Sequence, residues 1–177
     1  MLVRISLVLV VAALFGRPAA AQQISKPTVP GAANFARLET TVACGGATTP
    51  EAVPELKKMG FASIINLRLP TEAGANVDGE AAAAKTAGIK FYSIPFSGQS
   101  PDPAVADKFL ATITAPGNEP AYIHCAAGNR AGAMWMIKRL AVDHWDTERA
   151  YTEAAALGLT SPALKQFAID YAQSHKR

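Results

Sequence analysis

Tyr122-Ile123-His124-Cys125-Ala126-Ala127-Gly128-Asn129-Arg130-Ala131-Gly132 is the stretch on which the reading of this 177-residue chain turns. The apolar run from Pro120 to His124 has the length and composition of a buried strand. It delivers Cys125 into a loop of small residues. Arg130 then opens a helical pattern reaching Val142, with Met134, Ile137, Leu140 and Ala141 at core spacing. Strand, Gly-containing loop and helix head, in that order, build an anion cradle. Small residues let backbone N–H groups turn inward, and the helix aims its positive end at the same spot. Both effects favour the thiolate form of Cys125, which is the nucleophile. Arg130 sits where the helix dipole disfavours a cation unless an anion lies between them. Its planar fork of donors suits a tetrahedral oxyanion. Ala126, Ala127, Gly128 and Asn129 form the expected anion-binding loop, Gly128 supplying a backbone angle that other residues resist. His124 lies in the strand and points to the face opposite Cys125, so its expected role is to support the loop rather than deprotonate the thiol.

Outward from this stretch, strands alternate with helices. Leu38 to Ala43, Phe61 to Leu67 and Ile89 to Phe96 read as strands. Thr49-Pro50-Glu51 starts a helix that stops at Gly60, Glu80 to Ala87 is a short Ala-rich helix, and residues 68–78 are a loop. Asp102-Pro103 opens a helix through Ile113; Asp146 to Leu157 and Ser161 to Ser174 close the chain as two capped helices. This order predicts an α/β fold with three layers, α-β-α, around a largely parallel central sheet. Such sheets bind ligands beyond the C-terminal strand ends. Cys125, Arg68 and Ser97 each follow such an end and are expected to converge, the last two as supporting residues. Asp102 is the nearest carboxylate after the third strand and a candidate general acid, though it serves equally as a helix cap. Asp107 and Glu72 are further candidates.

His-Cys-x-x-Gly-x-Arg on a strand–loop–helix resembles the signature loop of the cysteine-dependent protein tyrosine and dual-specificity phosphatases. More closely, the chain is similar to the small bacterial phosphatase-like domains also found fused to beta-lactamase-like metallohydrolases. Ser63-Ile64-Ile65-Asn66-Leu67-Arg68 and Tyr92-Ser93-Ile94-Pro95-Phe96 resemble the second and third strands of that family, so the likeness spans about residues 35–173. It implies a cysteine-phosphatase-like fold, with Cys125 attacking phosphorus while Arg130 and the loop amides hold the oxyanion. The chain departs from the tyrosine phosphatases in three places. Four residues rather than five separate Cys125 from Arg130, Ala131 replaces the hydroxyl residue after the Arg, and Ser97 stands where an acidic residue is expected. A four-residue loop resembles that of the rhodanese sulfurtransferases, which carry sulfur as a persulfide. Three functions therefore stand open: a phosphatase-like hydrolase, a sulfurtransferase acting through a Cys125 persulfide, and a catalytically inactive module that binds anionic or phosphorylated ligands.

The N-terminus reads as a secretory signal. Arg4 is followed by an apolar core from Ile5 to Phe15 and by Ala19-Ala20-Ala21, which offers a cleavage site after Ala21. The expected organisation is a signal peptide over 1–21, a flexible leader over 22–34 and a catalytic domain over 35–177. The mature protein is expected to be periplasmic or secreted, with no stable membrane anchor once the signal is cleaved. Cleavage removes two arginines, Arg4 and Arg17, and no acid, so the formal charge falls from +3 to +1. No dense Lys/Arg cluster remains, which argues against a nucleic-acid partner. The expected partner is a small anionic or phosphorylated substrate. No spacing of His, Cys, Asp or Glu suggests a metal site, and no cofactor is expected. Cys44 and Cys125 leave three readings open: a structural disulfide, a Cys125 that stays unbridged and reactive, and a reversible regulatory pairing of the two.

Overall fold

The computed structural model describes residues 23–39 and 41–175; the signal segment expected over 1–21 lies outside them. β6 (Ala121–His124), the strand that delivers Cys125, runs between β3 (Val42–Gly45) and β4 (Ser63–Asn66), parallel to both. β5 (Lys90–Ser93) adds in parallel beyond β4, and β2 (Ala36–Leu38) and β1 (Ile24–Ser25) add antiparallel beyond β3. The order is thus β1-β2-β3-β6-β4-β5. The apolar residues of the central strands go to both faces, as a sheet covered on both sides requires. Ile65, Ile123, Cys44 and Cys125 join one core, and Ala43, Ile64 and Tyr122 the other.

Two helix layers close over these faces. On the Tyr122 side lie a 3-10 turn (Pro50–Ala52), α1 (Val53–Lys58) and α2 (Val77–Ala87), contributing Val53, Leu56 and Ala84. On the Cys125 side lie α3 (Pro103–Ile113), α4 (Asn129–Ala141), α5 (Thr147–Ala156) and α6 (Pro162–Ser174). The expected three-layer α/β fold is present. Among the described residues no helix is long and apolar enough to cross a membrane.

Three local expectations are corrected. The single strand expected over Leu38 to Ala43 is a hairpin. Glu39 takes a left-handed φ of 40°, Thr41 N–H donates to Leu38 O at 3.1 Å, and β2 folds back on β3. The flexible leader expected over 22–34 is instead docked from residue 23 on. β1 pairs with β2, and Val29 and Ala32 are buried with Phe35 against Val53, Leu56 and Tyr122. Its few apolar side chains have a core to enter, which composition could not reveal. Finally, α4 is not amphipathic in the expected sense. Every residue from Ala131 to Arg139 is buried, because α3, α5 and α6 cover the side turned away from the sheet, whereas Leu140 and Ala141 are half-buried.

Candidate active site

Cys125 follows the C-terminal end of β6, with its N–H donating to Gly45 O at 3.2 Å and its side chain almost fully buried. The chain then turns outward through exposed Ala126 and Ala127 and re-enters at Gly128. Gly128 has φ +102°, a left-handed backbone that a side chain would strain, and it caps α4. Its N–H donates to Cys125 Sγ at 3.2 Å. A trans peptide points its N–H and C=O in opposite directions, so the carbonyl of the same unit, Ala127 O, faces away from the sulfur. There it accepts from Asn34 Nδ2 at 3.3 Å. The preceding carbonyl, Ala126 O, accepts from Ala47 N–H at 2.9 Å. Hydrogen bonds on the outer side of the loop thus aim its amides inward. Asn129 is tied elsewhere: its Oδ1 accepts from the N–H groups of Thr160 and Ser161, both at 2.7 Å, locking the head of α4 to the turn before α6.

Arg130 occupies the first turn of α4, and its guanidinium gathers the other strand ends. Nη1 donates to Phe96 O at 2.9 Å and to Leu67 O at 3.2 Å, carbonyls that follow β5 and β4. The same fork makes a bidentate pair with Glu72: Nη1 to Oε1 at 2.5 Å and Nη2 to Oε2 at 2.8 Å. Hydrogen bonding from Arg130 holds the Glu72 carboxyl down to about 2, helped by Leu69 N–H and Arg68 against the opposing effect of burial. Burial by itself would lower Arg130, but Glu72 and the Cys125 sulfur together keep it above its ordinary value. Arg68 does not turn toward Cys125. It is buried along the 68–76 loop, with Nε on Glu72 Oε2 at 3.3 Å and its terminal nitrogens on Ala73 O and Gly74 O. Glu72 Oε2, shared by both side chains, links it to Arg130. Ionised at neutral pH, Glu72 is an anchor for two arginines and not a proton donor.

The remaining candidates separate. Asp102 is exposed and caps α3, its Oδ1 accepting from Ala104 N–H at 2.9 Å. Asp107 accepts from the Tyr171 hydroxyl. Ser97 Oγ accepts from Ser100 N–H at 3.2 Å and shapes the loop after β5. That loop lies along Arg130: a Cβ built on Gly98 would stand 3.6 Å from Arg130 Cγ.

His124 points to the other face, as expected. Its Nε2 lies 2.8 Å from Glu80 Oε2, both side chains being fully buried, and Asn66 Nδ2 reaches the same oxygen at 3.2 Å. The imidazole stacks on Tyr122 at 5.5 Å between ring centroids. Cys44 and Cys125 are both free thiols. They face the same core from adjacent strands, where Cys44 pairs with Ile123 in register. Burial pushes the Cys44 thiol up, with the neighbouring Cys125 adding to the rise.

Asn34, Glu80 and the anchoring role of Glu72 escaped sequence reasoning. Asn34 carries one faint signal, because Asn tolerates the left-handed backbone (φ 52°) it adopts here. It also lines a cleft of about 570 Å³ beside the loop, together with Lys26, Ala127, Asn129 and Thr160.

A family model described as a DSP-PTPase phosphatase fused to NAD+ kinase matches residues 22–169. The chain belongs to this family. This match bears out the likeness to bacterial tyrosine and dual-specificity phosphatase-like domains and does not confirm the narrower one to domains fused to metallohydrolases. No curated protein matches the sequence. Among solved structures, a DUF442 protein from Shewanella putrefaciens CN-32, described as a phosphatase by assignment, is 19% identical with a TM-score of 0.69. The match covers 84% of this chain and 97% of that one. TpbA of P. aeruginosa is 20% identical with a TM-score of 0.64, covering 89% and 92%. The core catalytic domain of the PP-IP phosphatase SIW14 from S. cerevisiae, solved with citrate, is 22% identical with a TM-score of 0.66, covering 81% and 88%. At these identities the structures establish a shared phosphatase fold, and the family match establishes the kinship.

Proposed function

We propose that the protein is a cysteine-dependent phosphomonoester hydrolase that prefers aryl phosphates. Cys125 sulfur attacks phosphorus, the bond from phosphorus to the leaving oxygen breaks, and that oxygen takes a proton from water. A second water then attacks the phosphocysteine, and the breaking S–P bond returns the thiolate and releases orthophosphate. Arg130 and the loop amides, Gly128 N–H among them, hold the oxyanion through both steps. The observation that carries the reading is the Ala127–Gly128 peptide. Its N–H is on the sulfur and its carbonyl is held from outside, beside an arginine pinned at the helix head.

The preference for aryl esters follows from the acids. Asp102 is engaged as a cap and Glu72 is ionised, so leaving groups that need little protonation are favoured. A TpbA variant solved with phosphotyrosine shows that a related fold takes an aryl phosphate. The persulfide alternative draws no support from the family or from these neighbours. Export through the segment 1–21 is part of the same proposal, and cell fractionation tests it.

Phosphate release from 4-nitrophenyl phosphate and from glycerol 3-phosphate tests the chemistry. The expected result is turnover that is much faster on the aryl ester and is lost in Cys125→Ser. Turnover that survives Cys125→Ser overturns the mechanism, and none in the wild-type protein leaves a binding module.

A further inference from the structure

Three segments meet behind the candidate cradle. Ala33 accepts from Gly46 N–H through its carbonyl, at 2.6 Å, and donates to Ala47 O at 3.0 Å. Ala47 N–H in turn holds Ala126 O, and Gly46 bridges Ala127. The fit is close enough that a Cβ on Gly46 would stand 3.0 Å from Ala126 O and 3.2 Å from Ala33 O. Asn34 completes this ladder, because its Nδ2 reaches past the strand end to Ala127 O at 3.3 Å. That carbonyl belongs to the peptide whose N–H meets Cys125 Sγ.

We infer that Asn34 is a positioning residue for the oxyanion cradle, and that the N-terminal segment is therefore a working part of the active site. The inference rests on the phosphatase reading above. A peptide unit is rigid, so holding its carbonyl fixes where its N–H points. Without a partner on its outer side, an exposed loop of Ala-Ala-Gly would rotate that unit and lose an inward donor. The residue type suits the task. Asn both adopts the left-handed backbone at this position and offers an N–H donor two bonds beyond Cβ. It acts on the amide and not on substrate, so its effect should appear in oxyanion affinity.

Sodium tungstate, a tetrahedral oxyanion that needs no turnover, is the probe, with affinity read by titration calorimetry on the purified protein. Asn34→Gly removes the donor while keeping the left-handed backbone free of strain. It should weaken tungstate binding roughly three- to tenfold, the worth of one net hydrogen bond. Asn34→Asp tolerates the same backbone and matches the shape but donates nothing, so it should weaken binding at least as much and covers poor folding of the first variant. Val29→Ala is the control. It loosens the same segment where Val29 is buried but removes no hydrogen bond to the loop, and should lower the melting temperature with tungstate affinity within twofold of wild type. Wild-type affinity in both Asn34 variants, or an equal loss in Val29→Ala, overturns the inference. A wild-type protein that binds no tungstate overturns the cradle reading itself, which separates the two failures.

Discussion

Glu72 sets what Arg130 can do. A bare guanidinium at a helix head would be repelled by the helix dipole and free to swing. Here two carboxylate oxygens and two backbone carbonyls hold it in one plane, at 2.5 to 3.2 Å. The pairing has a consequence for pH. The carboxyl is held down to about 2, against about 4.3 in an unfolded chain. A depressed carboxyl contributes stability that is fully present above the unfolded value and is lost as pH falls toward the folded one. Glu72→Gln should therefore lower stability by about 1–2 kcal/mol at neutral pH. It should also flatten the loss of melting temperature between about pH 5 and pH 3 relative to wild type. Thermal melts across that range check both effects, and parallel curves for the two proteins would deny Glu72 its anchoring charge.

At the scale of elements, the helix starts do double duty. Asp146 and Ser161 cap α5 and α6 by accepting from Arg149 N–H and Leu164 N–H, as their sequence positions suggest. Asp102 does the same for α3, and this is where cap and catalyst must be told apart. Asn caps a helix as well as Asp does but cannot deliver an acidic proton. Asp102→Asn should keep both stability and aryl-phosphate turnover within twofold, whereas Asp102→Ala should cost about 1 kcal/mol of stability with turnover retained. A tenfold fall in turnover for Asp102→Asn would make it the general acid. The head of α4 depends on a different device. Gly132 lets Leu159 approach so closely that an added Cβ would stand 2.9 Å from it, and Asn129 ties the same turn by its side chain. The loop between Cys125 and Arg130 is thus braced by the turn before α6 on one side and by the N-terminal segment on the other.

At the scale of the molecule, that N-terminal segment is part of the domain and not a tether. It supplies an edge strand and buries Val29 and Ala32 in the core on the Tyr122 face. Deleting residues 1–33 should lower the melting temperature by roughly 5–10 °C, from the apolar burial lost and the usual stability slope of a domain this size. Calorimetry against a chain starting at residue 22 checks this. An unchanged melting temperature would restore the flexible leader.

The Cys125 loop, the alternation of strands and helices and most caps were legible in the chain, because each rests on local chemistry. A Gly that must turn, a Pro or Asp that starts a helix and an apolar run that must be buried act within a few residues of themselves. From the loop's pattern came Cys125 beside a helix-head Arg130 and His124 on the opposite face. The hairpin at Glu39, the burial of α4 on all sides, the docking of residues 23–34 and the pairing of Arg130 with Glu72, 58 positions away, were not legible. These depend on which surfaces meet once the sheet has formed, and period or propensity carries no record of a partner distant in sequence. The sequence by itself determined that a thiol and an arginine stand at the end of a buried strand. Only the tertiary structure decided that Glu72 fixes the arginine and that Asn34 grips the loop from outside, because both contacts join segments that folding alone brings together.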